Sequence, residues 1–261
     1  MSGMMMNRLT GAAALAAVFA LAVPGAASAQ LAGPVEEEQA ASVRSTKPAN
    51  PAVYRAAQAY RGTKILVSTN ERMLRLISGR DTLLEAAVGI GMGTDFEYEG
   101  RTFRFETPTG RRRVQSKAEN PIWTVPDWHY MERATYRDLE LVRLKDGDEI
   151  ELDDGSHIVV KDGQVGRINQ FGNFWAFTPG MEIIFDGKVF MPPFDTEQRK
   201  VPGALGPYKL DLGDGYLIHG TNPFNEDTIG GAVSHGCVRL TNDDVDRLYH
   251  LVDTGVAVFI Y

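Results

Sequence analysis

The sequence predicts a mainly β protein with one helix near its C-terminus and a small antiparallel β subdomain inserted in its middle. Apolar segments of about four to eight residues recur from Lys64 onward, which is typical of strands. Asp-Gly pairs lie between several of these segments, and this dipeptide favours tight hairpins. The chain ends on an apolar run, 256–261, so the last strand is predicted to lie within a sheet.

The N-terminal residues 1–29 have the three parts of a secretory signal peptide. Arg8 supplies a positive charge, an apolar run covers 11–23, and small residues at 27–29 match a cleavage site. The apolar run is too short to cross a membrane, which requires about 20 residues. We therefore expect an exported protein of the periplasm or cell wall that has no membrane span.

The mature part is predicted to begin with a linker, 30–62, that contains a short helix near 52–60. A domain over 63–261 follows, and its first elements are a hairpin at 65–77 and a strand at 83–90. The segment GIGMGT (89–94) lacks the glycine spacing of a nucleotide-binding loop, so we predict a turn.

The middle of the domain is predicted to hold the inserted subdomain, about 129–200. A helix is expected over 127–140, and Asp-Gly turns at 146–147, 154–155 and 162–163 alternate with strand-like segments.

The last helix is predicted to begin at Thr241, where Asp244 completes a capping arrangement. Apolar residues recur there at the helical spacing, and Gly255 is predicted to end the helix.

Charge and cysteine content limit the functional classes. The 261 residues carry a net charge of -7, which disfavours nucleic acid and anionic membranes as partners. Cys237 is the only cysteine, so it has no partner for a disulfide within the chain, and a soft metal site lacks a second thiolate. We expect no metal and no cofactor, and a monomer.

Cys237 lies in a cluster that suggests nucleophilic catalysis. His235 precedes it by two residues, and His219 ends a predicted strand upstream. An imidazole that accepts the thiol proton would leave a reactive thiolate in an ion pair. An isolated histidine or cysteine is more often a buried structural residue, but their grouping within 219–239 of an exported chain favours catalysis. Gly236 allows backbone N–H groups to converge on an oxyanion.

Arg239 shares a strand face with Cys237 if the segment is extended, and its guanidinium could bind a substrate carboxylate.

The motif His219-Gly-Thr, followed by Ser234-His235-Gly236-Cys237, resembles that of the YkuD-type L,D-transpeptidases. TPTG (107–110) and GALGPYKLDL (203–212) are similar to other parts of that family. The resemblance covers about 64–128 and 201–261.

The resemblance implies a β-sandwich that acts on peptidoglycan stem peptides and can pass the acyl group to an amine or a lipoprotein. It further implies that Cys237 is the nucleophile, that His219 is the base, and that the carbonyl of Gly220 orients the base. Ser234 and His235 would line the site, with oxyanion donors around Gly236 and Cys237. Carbapenems would acylate the cysteine.

Three alternatives remain open from the sequence. Water in place of the amine would make the enzyme a carboxypeptidase or amidase that uses the same residues. A wall-binding protein without catalysis is a further possibility. The insertion could form a wall of the substrate cleft or decorate the surface.

Overall fold

A computed structural model of the chain describes residues 47–261. The predicted signal peptide and most of the predicted linker lie outside these residues. The α-helices described are Pro51–Ala59 (α1), Asp127–Tyr136 (α2) and Asn242–Leu251 (α3), and the 3-10 helices are Glu197–Arg199 and Pro223–Thr228.

The strands span the following residues: Lys64–Ser68 (β1), Met73–Ser78 (β2), Asp81–Ala87 (β3), Ile90–Gly91 (β4), Thr94–Tyr98 (β5), Arg101–Phe105 (β6), Gly110–Arg113 (β7), Ser116–Glu119 (β8), Ile122–Thr124 (β9), Glu140–Arg143 (β10), Glu149–Glu151 (β11), His157–Lys161 (β12), Gln164–Ile168 (β13), Phe174–Ala176 (β14), Ile183–Phe185 (β15), Lys188–Met191 (β16), Lys200–Pro202 (β17), Tyr208–Asp211 (β18), Leu217–His219 (β19), Ala232–Ser234 (β20), Val238–Arg239 (β21) and Ala257–Ile260 (β22). The mainly β prediction is confirmed.

Two sheets enclose the main core and form the predicted sandwich. One sheet has the strand order β3-β2-β1-β22-β7, and the other has the order β21-β19-β18-β8. Apolar side chains from both sheets join one buried cluster, which includes Ile65, Leu74, Leu210 and Ile218. Helix α3 adds Val245 and Leu248 to this cluster.

The C-terminal strand lies inside the first sheet, as predicted. Strand β22 pairs in parallel with β1 on one side and antiparallel with β7 on the other. Helix α1 occurs where the sequence predicts a short helix. It packs against this sheet through Ala57, which contacts the cluster of Leu66, Phe259 and Tyr261.

Helix α3 begins as predicted but ends earlier. The side chain of Thr241 accepts a hydrogen bond from the N–H of Asp244 and caps the first turn. The helix ends at Leu251, because Val252 has extended backbone angles. Gly255, predicted as the end of the helix, lies beyond it in a turn with φ of 88°.

The insertion has its own hydrophobic core. Strands β11-β12-β13-β14 form one small sheet and β10-β16-β15 form another, and both contribute to a buried cluster around Ile158 and Phe190. The prediction of an antiparallel subdomain is right for most pairs, but β10 and β16 are parallel. The long connection between β10 and β16 allows this, since parallel strands require a crossover rather than a tight turn.

Helix α2 is fixed at its start by a buried arginine. Arg199, which is 2% exposed, donates hydrogen bonds to the carbonyls of Pro192 and Val125 and pairs with Asp127 at the start of the helix. Such multiple bonding compensates the cost of burying a guanidinium. Among residues 47–261, no helix has the length and apolar character required to cross a membrane.

Candidate active site

Two neighbouring parallel strands bring the predicted catalytic residues together. Ile218 of β19 is opposite Val238 of β21, and His219 is opposite Arg239. Cys237 immediately precedes β21. Because side chains alternate between sheet faces, this register places Cys237, His219 and Arg239 toward one face.

His219 has the tautomer that a general base requires. Its side chain is buried, and Nδ1 lies 2.5 Å from the carbonyl oxygen of Gly220. A carbonyl only accepts hydrogen bonds, so Nδ1 carries the proton and Nε2 is left unprotonated. Burial, and secondarily the charge of Arg239, lower the pKa of His219 from 6.5 to about 4. The imidazole is therefore neutral at pH 7 and able to accept a proton.

The turn after His219 is held by close packing against Asn242, the first residue of α3. A Cβ on Gly220 would lie 2.5 Å from the Oδ1 of Asn242, so a larger residue here would have to displace the Asn242 side chain. The same oxygen accepts a hydrogen bond of 3.0 Å from the N–H of Thr221. These contacts fix the turn that presents the carbonyl of Gly220 to the imidazole.

Cys237 is a protonated thiol in this arrangement. Burial raises its pKa, while the N–H of Leu217 and the charge of Arg239 act in the opposite direction. Its Sγ lies 3.9 Å from the carbonyl oxygen of Gly215, and no hydrogen bond within residues 47–261 joins it to His219. The structure thus differs from the expected ion pair, because burial disfavours both charged forms.

The turn that precedes the cysteine is closed by Ser234. Its hydroxyl donates to the carbonyl of Cys237 at 2.6 Å and accepts from the N–H of Gly236 at 3.1 Å. The predicted oxyanion donor Gly236 therefore uses its N–H inside the turn, which leaves the N–H of Cys237 as the candidate. Gly236 has φ of 131°, and a Cβ there would lie 3.0 Å from the carbonyl oxygen of Glu106.

Thr107 supports this turn, and sequence reasoning assigned it no role beyond the TPTG motif. Its buried hydroxyl donates to the carbonyl of Gly236 at 3.0 Å and accepts from the N–H of Gly91 at 2.8 Å. One hydroxyl thus links three chain segments at the site. The motif itself was the only signal that could have indicated this.

His235 packs against residues from outside the cysteine motif. Its ring lies 4.4 Å from the rings of both Trp128 and Phe105. Its Nε2 lies 3.2 Å from a carboxylate oxygen of Glu132, which belongs to α2. The insertion therefore contacts the motif. The sequence signal for this contact is the spacing of Trp128 and Glu132, which are four residues apart on a predicted helix and therefore share one of its faces.

Arg239 presents an uncompensated donor near the thiol. Its Nε is buried and has no hydrogen-bond partner among residues 47–261. Burial lowers its pKa, and its charge acts on both Cys237 and His219. A guanidinium with a buried, unpaired Nε can bind an anionic group.

No group of three or more potential metal ligands occurs in the part of the chain that the structure describes.

Comparison with known proteins gives a family match over most of the chain. The family model for the YkuD L,D-transpeptidase catalytic domain matches residues 62–260. The putative L,D-transpeptidase YkuD of Bacillus subtilis is 47% identical over 64 residues, which are 24% of this chain and 38% of that protein. The probable L,D-transpeptidase YbiS of Escherichia coli K12 is 48% identical over 54 residues, which are 21% of this chain and 17% of that protein.

These alignments cover less than two-fifths of either relative. Among solved structures, the L,D-transpeptidase (residues 123–326) of Xylanimonas cellulosilytica is similar with a TM-score of 0.38 and 16% identity, over 81% of this chain and 70% of that one.

Proposed function

Because the chain belongs to the YkuD family of L,D-transpeptidase catalytic domains, we propose that it is a peptidoglycan L,D-transpeptidase with Cys237 as its nucleophile. The observation that carries this proposal is the state of His219. Its Nδ1–H donates a hydrogen bond to the carbonyl of Gly220, which leaves Nε2 unprotonated. His219 lies on β19, and this strand pairs with β21, which follows Cys237.

The first half-reaction is acylation of the thiol. Nε2 of His219 accepts the proton of Cys237 while Sγ attacks the carbonyl carbon of the third, L-centred residue of a stem tetrapeptide. The oxyanion formed accepts a hydrogen bond from the N–H of Cys237. The peptide bond to the terminal D-alanine then breaks, and the imidazolium returns its proton to the departing amine. A thioester remains on Cys237.

The second half-reaction returns the enzyme to its resting state. An amine of a second stem peptide or of a lipoprotein attacks the thioester carbonyl and loses its proton to His219. The C–S bond breaks, and the proton passes to the sulfur. The cross-linked product leaves, and the thiol is restored.

Arg239 is proposed to bind a carboxylate of the stem peptide. Its buried and unpaired Nε and its position opposite His219 support this role. The variant Arg239→Ala should raise KM for the tetrapeptide more than it lowers kcat, since a carboxylate contact is made in the ground state as well. An unchanged KM would remove Arg239 from the substrate site.

The deciding experiment is intact-mass detection of a thioester after incubation with a purified stem tetrapeptide. We expect an adduct on the wild type that is absent from Cys237→Ser, because a serine hydroxyl ionises far less readily than a thiol. His219→Gln should form the adduct much more slowly. A wild type without adduct, tested also with a carbapenem, would overturn the proposal.

Product analysis with an amine acceptor separates transfer from hydrolysis. Cross-linked dimers identify the transpeptidase, whereas shortened stems alone identify a carboxypeptidase that uses the same residues. A Cys237→Ala variant that keeps full cellular activity would instead indicate a wall-binding protein.

Export to the periplasm or cell wall is part of the proposal and is supported by the sequence of residues 1–29. The mature protein is expected to begin at Gln30. N-terminal sequencing of protein from the envelope fraction tests this, and an uncleaved chain in the cytoplasm would contradict it.

A further inference from the structure

The insertion places a carboxylate against the cysteine motif. The side chain of Glu132 on α2 is 9% exposed, and its two oxygens lie 3.2 and 3.3 Å from Nε2 of His235. Among residues 47–261 this carboxylate has no other hydrogen-bond partner. A carboxylate removed from water requires compensation, so the contact with His235 is the interaction that stabilises it there.

Aromatic rings hold the same imidazole on its other sides. Trp128 packs against it with the rings tilted by 30°, and Phe105 meets it edge to face at 82°. Trp128 and Glu132 are four residues apart on α2 and therefore share one face of the helix. Helix α2 thus contributes both a ring and a carboxylate to the surroundings of His235.

The groups around His235 determine both its charge and which of its nitrogens bears the proton. Burial lowers the pKa of His235, as do the charges of Arg239 and Arg133, and His129 is a further titratable neighbour. Glu132 acts in the opposite direction. The imidazole is therefore neutral at pH 7. A carboxylate can only accept hydrogen bonds, so the single proton of the imidazole is on Nε2 and its Nδ1 is an acceptor.

We propose that Glu132 is a positioning residue for the transfer reaction. By accepting a hydrogen bond from Nε2–H of His235, it fixes the tautomer and the plane of this imidazole and so orients the 234–237 turn that carries the nucleophile. The inference rests on the proposed function. It makes the insertion a part of the active site, since the carboxylate comes from α2 and the imidazole from the cysteine motif.

The test combines Glu132→Gln with a matched control, Arg137→Gln. Glutamine keeps the shape of the side chain, but it removes the charge and offers the ring an NH2 donor beside its single acceptor oxygen, so it no longer selects the Nε2–H tautomer. Arg137 is at the end of the same helix, where it makes a partly exposed ion pair of 2.8 Å with Glu182. Two quantities are measured for each protein: the rate of thioester formation, and the nitrogen chemical shifts of the His235 ring as a function of pH.

We expect the wild type to show the Nε2–H tautomer. In Glu132→Gln the titration midpoint of His235 should move to lower pH, and the acylation rate should fall about 10- to 100-fold with little change in affinity for the tetrapeptide. Arg137→Gln should behave as the wild type. In a His235→Asn background the Glu132→Gln change should have little further effect, because Glu132 acts through His235.

An Nδ1–H tautomer in the wild type would overturn the inference without any variant. Equal acylation rates for the wild type and Glu132→Gln would overturn the role of Glu132 and leave the proposed function intact. A wild type that forms no thioester would overturn the proposed function itself. Equal decreases in the acylation rate of Glu132→Gln and Arg137→Gln would show that Glu132 merely stabilises the helix.

Discussion

Replacing His219 should change how the stability of the protein depends on pH. The folded state holds the pKa of this buried imidazole at about 4, against 6.5 without the fold. The unfolded chain therefore binds a proton between these two values that the folded chain does not bind. The contribution of His219 to stability is complete above about pH 6.5 and is lost as the pH falls toward 4.

The size of the effect follows from the two pKa values. The free energy of unfolding of the wild type should fall by about 2 kcal/mol between pH 7 and pH 5 through His219 alone, with a limiting slope of about 1.4 kcal/mol per pH unit. His219→Gln has no imidazole at this position and should lack this part of the dependence. Its stability at pH 7 will be lower, but the prediction concerns the slope.

Urea denaturation followed by tryptophan fluorescence at pH 5, 6 and 7 measures the slope for each protein. The pKa of His129 is also lowered to about 4, mainly by burial, but His129 titrates in both proteins and cancels in the difference. His129→Gln is the matched control and should keep the contribution of His219. Parallel stability curves for the wild type and His219→Gln would show that the folded imidazole is not held neutral, and would refute the reasoning on the base.

Three further predictions concern the same site. The acylation rate of the wild type should have its acidic inflection near pH 4, because His219 is neutral above that value, and a stopped-flow profile with an inflection between 6 and 7 would contradict this. Thr107→Val should lower the free energy of unfolding by about 1–3 kcal/mol, because it leaves buried partners unsatisfied. Thr109→Val, at an exposed position of the same turn, should lower it by under about 0.5 kcal/mol. Similar losses for both variants in chemical denaturation would argue against the linking role of Thr107. Gly236→Ala should slow acylation strongly, because its Cβ would lie 3.1 Å from the Tyr216 ring. Gly79→Ala, where nothing lies within 4 Å of the added Cβ, should keep the wild-type rate. A Gly236→Ala variant that is acylated at the wild-type rate would show that the turn can relax.

The features that could be predicted from the sequence depend on residues that lie close together in the chain. Cys237 and Arg239 are two residues apart, so strand alternation is enough to place them on one face, and His219 ends the neighbouring strand. The final strand and the start of α3 were likewise predictable, since a terminal apolar run and a capping pattern are short-range signals.

The surroundings of His235 could not be derived in this way. Glu132 is 103 positions from His235 in the chain, and their contact depends on how α2 docks against the sandwich. The position of α2 also depends on the packing of Tyr130 and Ala134 against Val189 and Met191 and on the buried Arg199, which are tertiary interactions. The protonation of the site was also missed, because the burial of His219, which disfavours the expected ion pair, depends on the tertiary fold.

The central position of β22 has a consequence for how the protein acquires its fold. The strand joins β1 to β7, and its partner residues in β1 lie about 190 positions earlier in the chain. Until residues 257–260 have been made, β1 and β7 each expose an unpaired edge, and the main core lacks the side chains of Val258 and Ile260. Such long-range closure makes folding slow and late. The two sheets that enclose the main core can therefore pack fully only after residues 257–260 have been made.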